Sequence, residues 1–371
     1  MIYLDNGATS YYKPDSVKRA VLWAMENCAN PGRGGYEQSN KAAHVVLGCR
    51  DRASRLFNCD PEHVVFTSNC THGLNIAIRS LIKPGAKVLI SGFEHNAVLR
   101  PLVDIGVKLS IAATKLFNWD DTLSSFEKFL RQGVDAAVFT HVSNVFGYVL
   151  PVEEIAELCK YYNVPFVIDA AQSAGSQKIS FGDLGADFIA MPGHKGLLGP
   201  QGTGLLLCKD MCEPLLFGGT GSMSAETSMP DFLPDRLEAG TLNVPGIAGL
   251  SAGLAHLLQV GTDKICSREV RQADICAEGL KELGVQVFDG EHRSGTVSFV
   301  SKMDCEELAQ LLSDMGIAVR AGLHCAPIAH RSVGTFNSGT VRVSFGLDAS
   351  PIQSKRLLES LNKIKSKRKI L

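Results

Sequence analysis

From Pro14 the chain carries apolar residues at helical spacing: Val17, Val21, Ala24 and Met25 fall on one face and predict a helix. A second helix is expected over Lys41–Phe57. Then the period changes. Short apolar runs at Val64–Thr67, Lys87–Ser91, Ala136–Thr140, Phe166–Asp169, Phe188–Met191 and Gly204–Cys208 read as strands. Runs without polar alternation suit strands covered on both faces. Helical patterns at Leu74–Leu81 and Val152–Tyr162 lie between them. Strands alternating with helices predict an α/β fold, a mostly parallel sheet flanked by helices.

After the Ala-, Gly- and Leu-rich helix expected at Gly246–Val260 the pattern is different. Helices over Glu269–Leu283, Glu306–Met315 and Ser354–Ile364 mix with strands at Val285–Phe288, Thr296–Val300, Ile317–Arg320 and Val341–Ser344. This order predicts a smaller C-terminal α+β domain. The expected division is a large domain over 14–250 and a small one over 251–371, with residues 1–13 packing on the small one. Lys363, Lys365, Lys367, Arg368 and Lys369 read as a solvated helix end, where cations complement the dipole.

Charge narrows the function. Lys+Arg 37 against Asp+Glu 38 gives a net charge of −1 over 371 residues, which argues against a nucleic-acid binder and leaves a small-molecule pocket. Eleven cysteines contain no CxxC pair; Cys208 and Cys212 lack a second ligand pair, so no metal site is expected. Scattered lone cysteines fit a reducing cytoplasm. MIYLDNGATSYYKP has no basic or long apolar region of a signal peptide, and no apolar run approaches the ~20 residues of a membrane helix.

Three segments carry candidate chemistry. In Asp187–Gly199 an apolar strand runs into Pro192-Gly193-His194-Lys195-Gly196. A lysine desolvated there has a depressed pKa and can form a Schiff base; alone, the segment reads equally as a surface loop. Asp169 ends the strand in VPFVIDAAQSAG, 26 residues before Lys195, with Gln172 three residues on. Ligands of α/β sheets bind at the carboxyl ends of strands, where a carboxylate can pair with a pyridine nitrogen. Ser68-Asn69-Cys70-Thr71-His72-Gly73 sits between strand and helix as a phosphate cradle. His95, after the next strand, offers a flat ring for stacking.

Together, EHN, SNVFG, IDAAQSAG, GHKGLLGPQG and EAGTLN, with LDNGAT near the start, resemble the class V aminotransferase family of fold type I pyridoxal-phosphate enzymes. The match extends over almost the whole chain. Arg320-Ala321-Gly322-Leu323-His324-Cys325 is similar to the RxGxHC loop of the second group of cysteine desulfurases, which includes selenocysteine lyase. The resemblance implies pyridoxal 5'-phosphate held by Lys195 as a Schiff base, Asp169 at its pyridine nitrogen and Gln172 at its phenolic oxygen. His95 would stack on the ring. Thr71 and His194 would hold the phosphate, and Asn144 the ring or substrate. Arg342 would bind the substrate carboxylate, with Arg320 next in line, while Arg33 and Thr241 would come from the partner subunit of a homodimer. Pro192 departs from the pattern: relatives carry a serine phosphate ligand there, and proline offers neither hydroxyl nor N–H.

Cys325 separates the candidate reactions. Desulfuration needs a thiolate to accept sulfur as a persulfide, and His324 and Arg320 are expected to favour that thiolate as neighbouring cations. The implied function is conversion of the amino acid cysteine to alanine with sulfur held on Cys325, and a sulfur-acceptor protein as a possible partner. The alternatives are a selenocysteine lyase, or a class V aminotransferase or lyase that does not use Cys325.

Overall fold

The computed structural model describes residues 1–32 and 34–368. Its elements begin with β1 (Ile2–Tyr3), α1 (Asp15–Asn27), α2 (Glu37–Phe57), β2 (Val64–Thr67), α3 (Cys70–Leu81), β3 (Lys87–Ser91), α4 (Asn96–Ile105), β4 (Lys108–Ala112), α5 (Trp119–Arg131), β5 (Ala136–Thr140), α6 (Val152–Tyr161), β6 (Phe166–Asp169), α7 (Phe181–Leu184), β7 (Phe188–Pro192), β8 (Gly204–Cys208) and α8 (Val244–Val260). The chain continues with α9 (Thr262–Glu282), β9 (Gln286–Phe288), β10 (Thr296–Val300), α10 (Cys305–Asp314), β11 (Ile317–Ala318), β12 (Arg320–Gly322), α11 (Pro327–Val333), β13 (Thr340–Ser344) and α12 (Pro351–Arg368).

The main sheet runs β2-β8-β7-β6-β5-β3-β4. Its neighbours are parallel except at β8, which runs against both β2 and β7. Alternate side chains of a strand point to opposite faces. Phe139 and Ile168 thus enter one core, and Val138 and Val167 the other. This is the parallel-rich sheet between two helical layers that the apolar runs predict. A third core forms where α9, α10 and α12 cover the antiparallel sheet β12-β13-β10-β9, around Val297, Phe299, Val341, Val343, Leu357 and Leu361. Among the described residues no single helix is long and apolar enough to cross a membrane.

The structure corrects several expectations. Residue 250 falls inside α8, which packs against α1 and α2, and the following helix α9 leaves α8 at 83° while Ile265 near its start still packs in the core of the main sheet. In the N-terminal segment β1 pairs with β11, while Gly7, Thr9 and Ser10 reach Gln172 and His194 beside the main sheet. α3 starts at Cys70 and not at Leu74, because Asn69 caps it by accepting from the His72 N–H at 2.9 Å. The stretch 317–322 is two strands: β11 serves β1 and β12 serves β13.

Candidate active site

The carboxyl ends of β2, β3, β5, β6 and β7 lie along one edge of the sheet. Each is followed by one or more of the expected residues: Thr71, His95, Asn144, Asp169 with Gln172, and His194 with Lys195. All seven line one cleft, together with Asn69, Cys70 and Pro192. Parallel strands put their carboxyl ends along the same edge, where α/β sheets bind their ligands. Two loops meet backbone to backbone beneath it. Gly175 has φ +95°, and a Cβ there would lie 2.2 Å from the Gly196 carbonyl oxygen. Only glycine permits that approach between the Asp169 loop and the Lys195 loop.

Desolvation holds the Lys195 ammonium below the usual lysine range, and the nearby Arg342 guanidinium pushes the same way. Asp169 is buried and accepts from the Ala171 N–H at 2.9 Å. The Cys70 thiol approaches the same oxygen at 3.5 Å, and burial with the Asp169 charge pushes that thiol's pKa up, so Cys70 stays protonated and donates. His95 caps α4: its Nδ1 accepts from the Ala97 N–H at 3.0 Å, which places the ring proton on Nε2. Burial lowers its pKa and keeps the ring neutral. His194 is likewise held neutral, its pKa pushed down to about 4 by burial, with Nδ1 3.0 Å from the Thr9 hydroxyl.

Gln172 spends one amide N–H on the Gly7 carbonyl at 2.9 Å. Asn144 donates to the His324 carbonyl at 2.8 Å, and its Oδ1 is buried with no partner. A buried acceptor left open points to a ligand donor. Pro192 ends β7 opposite Gly204 and brings no donor to the cleft.

Cys325 is the exposed cysteine of the eleven. It sits with His324 on a turn in which both have positive φ, +49° and +56°. That conformation costs non-glycine residues about 1–2 kcal/mol each. The turn is pinned at both residues: the Asn96 N–H donates to the Cys325 carbonyl at 2.8 Å, and Asn144 holds His324. Asn96 follows His95, so Cys325 is held at the border of the cleft. His324 is not the cation expected: burial, with Arg342 next in effect, drives its pKa far down, and its Nε2 lies 3.0 Å from the Thr340 hydroxyl. Arg320 remains as the nearby basic residue in the sequence.

Arg342 is buried and does not line the cleft. One guanidinium nitrogen donates to the Asn144 carbonyl at 2.8 Å, another pairs with Asp5 at 2.7 Å, and Nε has no partner. Arg320 faces Arg342 across the β12–β13 pair. Thr241 is exposed in the loop before α8 and is not among the residues lining its own chain's cleft. Arg33 lies outside the described residues. Among the described residues Asp60, Glu62 and His63 group three possible metal ligands, on the exposed turn at the far end of β2. The residues missed by sequence reasoning are Asp5, Gly7, Thr9 and Ser10, which touch Arg342, Gln172 and His194; the signal for the first three was the LDNGAT segment itself.

A family model described as "Aminotransferase class-V" matches residues 2–356. A "Probable cysteine desulfurase" of Pyrococcus abyssi is 32% identical over 362 residues, covering 93% of this chain and 89% of that one. An apo cysteine desulfurase structure from Thermococcus onnurineus NA1 is 32% identical with a TM-score of 0.89, over 98% of this chain and 94% of that one. A cysteine desulfurase structure from Escherichia coli, described as S-sulfonic acid, is 25% identical with a TM-score of 0.85, over 98% of this chain and 94% of that one. With a match that spans all the described sheets and the Lys195 cleft, the chain belongs to the class V aminotransferase family.

Proposed function

We propose that this chain is a pyridoxal-phosphate-dependent cysteine desulfurase that converts cysteine to alanine and holds the sulfur on Cys325. The observation that carries the choice of reaction is the exposed Cys325 on a strained turn pinned to Asn96 and Asn144 at the cleft. An aminotransferase has no use for a thiol held this way.

The cleft fits the cofactor. The uncharged tendency of the Lys195 amine, the Asp169 carboxylate and the open Asn144 Oδ1 suit a pyridine aldehyde, and the N-terminus of α3 suits its phosphate. When bound, the cofactor supplies an electron sink for the substrate Cα. Lys195 moves the Cα proton, and Asp169 keeps the pyridine nitrogen protonated. Neutral His95 gives the ring a flat, uncharged face, and neutral His194 with Thr71 offers donors to the phosphate. With Pro192 in place of a donor, more of that task falls on the α3 backbone N–H groups.

The sulfur step belongs to Cys325. Its thiolate bonds the substrate sulfur, the substrate C–S bond breaks, and that electron pair stays on the carbon, which takes a proton and becomes the methyl of alanine. An exposed persulfide can then pass its sulfur to an acceptor protein. We also propose a homodimer in which Thr241 serves the partner's site, which accounts for its exposure in its own chain.

The test is Cys325→Ala, measuring alanine and sulfide from cysteine under anaerobic conditions. Alanine release should nearly stop while the protein stays yellow. Desulfuration at the unaltered rate would transfer the reading to the aminotransferase or lyase alternative.

A further inference from the structure

Arg320 and Arg342 stand directly opposite in the antiparallel β12–β13 pair. Like charges in that position repel, and both belong to the side of the molecule where Lys195 and His324 feel them. One carboxylate answers them: Asp5 Oδ1 lies 2.7 Å from Arg342. Among the described residues Arg320 has no carboxylate at ion-pair distance. Beyond its own burial, Arg342 feels Asp5, Arg320 and the phenol of Tyr3, which stays protonated. Two guanidinium charges against one carboxylate leave one positive charge.

Asp5 is fixed in place. The Ser344 N–H donates to the Leu4 carbonyl at 2.8 Å, and the Gly7 N–H donates to the Ser344 hydroxyl at 2.8 Å, so the backbone on both sides of Asp5 is tied to β13. Gly7 lets the guanidinium lie against this backbone, since a Cβ there would come within 3.1 Å of Arg342 Cζ.

We propose that Asp5 is a specificity-determining residue: by cancelling one of two arginine charges it matches the site to a substrate with one carboxylate and sets it against dicarboxylates. The inference rests on the reading of Arg342 as the substrate-carboxylate residue. A substrate with one carboxylate and an uncharged thiol meets a single net positive charge. A second carboxylate would meet Asp5 with neither arginine left over.

The test compares propionate and succinate as competitive inhibitors of the holoenzyme and, by calorimetry, as ligands. Asp5→Asn should tighten succinate about tenfold and propionate less than about threefold. Asp5→Glu keeps the charge and should keep the unaltered selectivity. Asp5→Asn combined with Arg320→Gln restores the charge balance and should restore it too. An unchanged ratio in Asp5→Asn, or no restoration in the double variant, overturns the proposal. Should Asp5→Asn not fold, Arg320→Gln alone must weaken both acids about tenfold or more, and unchanged binding overturns it. Arg342→Gln separates the two readings. If it leaves both acids binding as before, the Arg342 reading falls. If it abolishes both while Asp5→Asn leaves the ratio unchanged, only the Asp5 inference falls.

Discussion

Asn144 donates from Nδ2 to the carbonyl of His324 at 2.8 Å, while its own backbone carbonyl accepts from Arg342 at 2.8 Å. One residue thus touches the turn that presents Cys325 and the guanidinium expected at the substrate carboxylate. Asn144→Ala removes the first contact and keeps the second. The strained turn then depends on Asn96 and on the contact of the His324 ring with Thr340. The expected result is a stability loss of about 1 kcal/mol and alanine release slowed by about tenfold. The yellow colour should persist, because Lys195 and Asp169 are untouched. A variant that desulfurates cysteine at the original rate would show that the turn needs no hold from this side.

Thr241 is exposed and apart from its own cleft. If it completes the partner's site, the two sites of a symmetric dimer are each built from both chains. Lys195→Ala and Thr241→Val should each be strongly impaired. After subunit exchange, half the dimers are mixed, and each mixed dimer has one intact site. Recovery of about a quarter of the unaltered activity is expected. No recovery, with both variants dimeric, would leave Thr241 an ordinary loop residue.

What could be read from the chain depended on how local its physical cause is. Strands β5 to β8 are buried along their length, and so announced themselves as short apolar runs; Asp169 and Lys195 were then found at or just beyond two strand ends. Helix α4 was hidden by Pro101 in its interior, and β4 by its half-exposed edge position, which breaks the apolar run. The Asp5–Arg342 pair joins residues 337 apart, and no spacing rule reaches that far. His324 was mistaken for a cation because charge is set by burial, and burial of a loop residue depends on what packs over it: here Thr340 and Arg342. Helix α8 is apolar on most faces, so its pattern does not mark where one core stops.

Glu94, next to His95 in the chain, gives a pH prediction. Its Oε1 accepts from the Thr140 N–H at 3.1 Å and from the Ser91 N–H at 3.2 Å, tying β5 to β3, while Oε2 is buried without a partner. Burial raises its pKa from 4.5 to about 8, so the folded protein keeps a proton that the unfolded chain gives up. Below pH 4.5 both states hold the proton and its contribution is fully present. As pH rises towards about 8, the unfolded chain gains by ionising and folded stability is lost. Glu269 is raised to about 8 by burial and adds to this trend, whereas His141, lowered to about 4 by burial, costs stability as pH falls below 6.5. A comparison with Glu94→Gln isolates the one group, since glutamine copies the protonated carboxyl and cannot ionise. Melting temperatures of the two proteins should lie closest at about pH 5 and diverge towards pH 8, the variant gaining by ~2 °C or more. Parallel curves across that range would mean that Glu94 is ionised in the folded state and that its second oxygen has a donor.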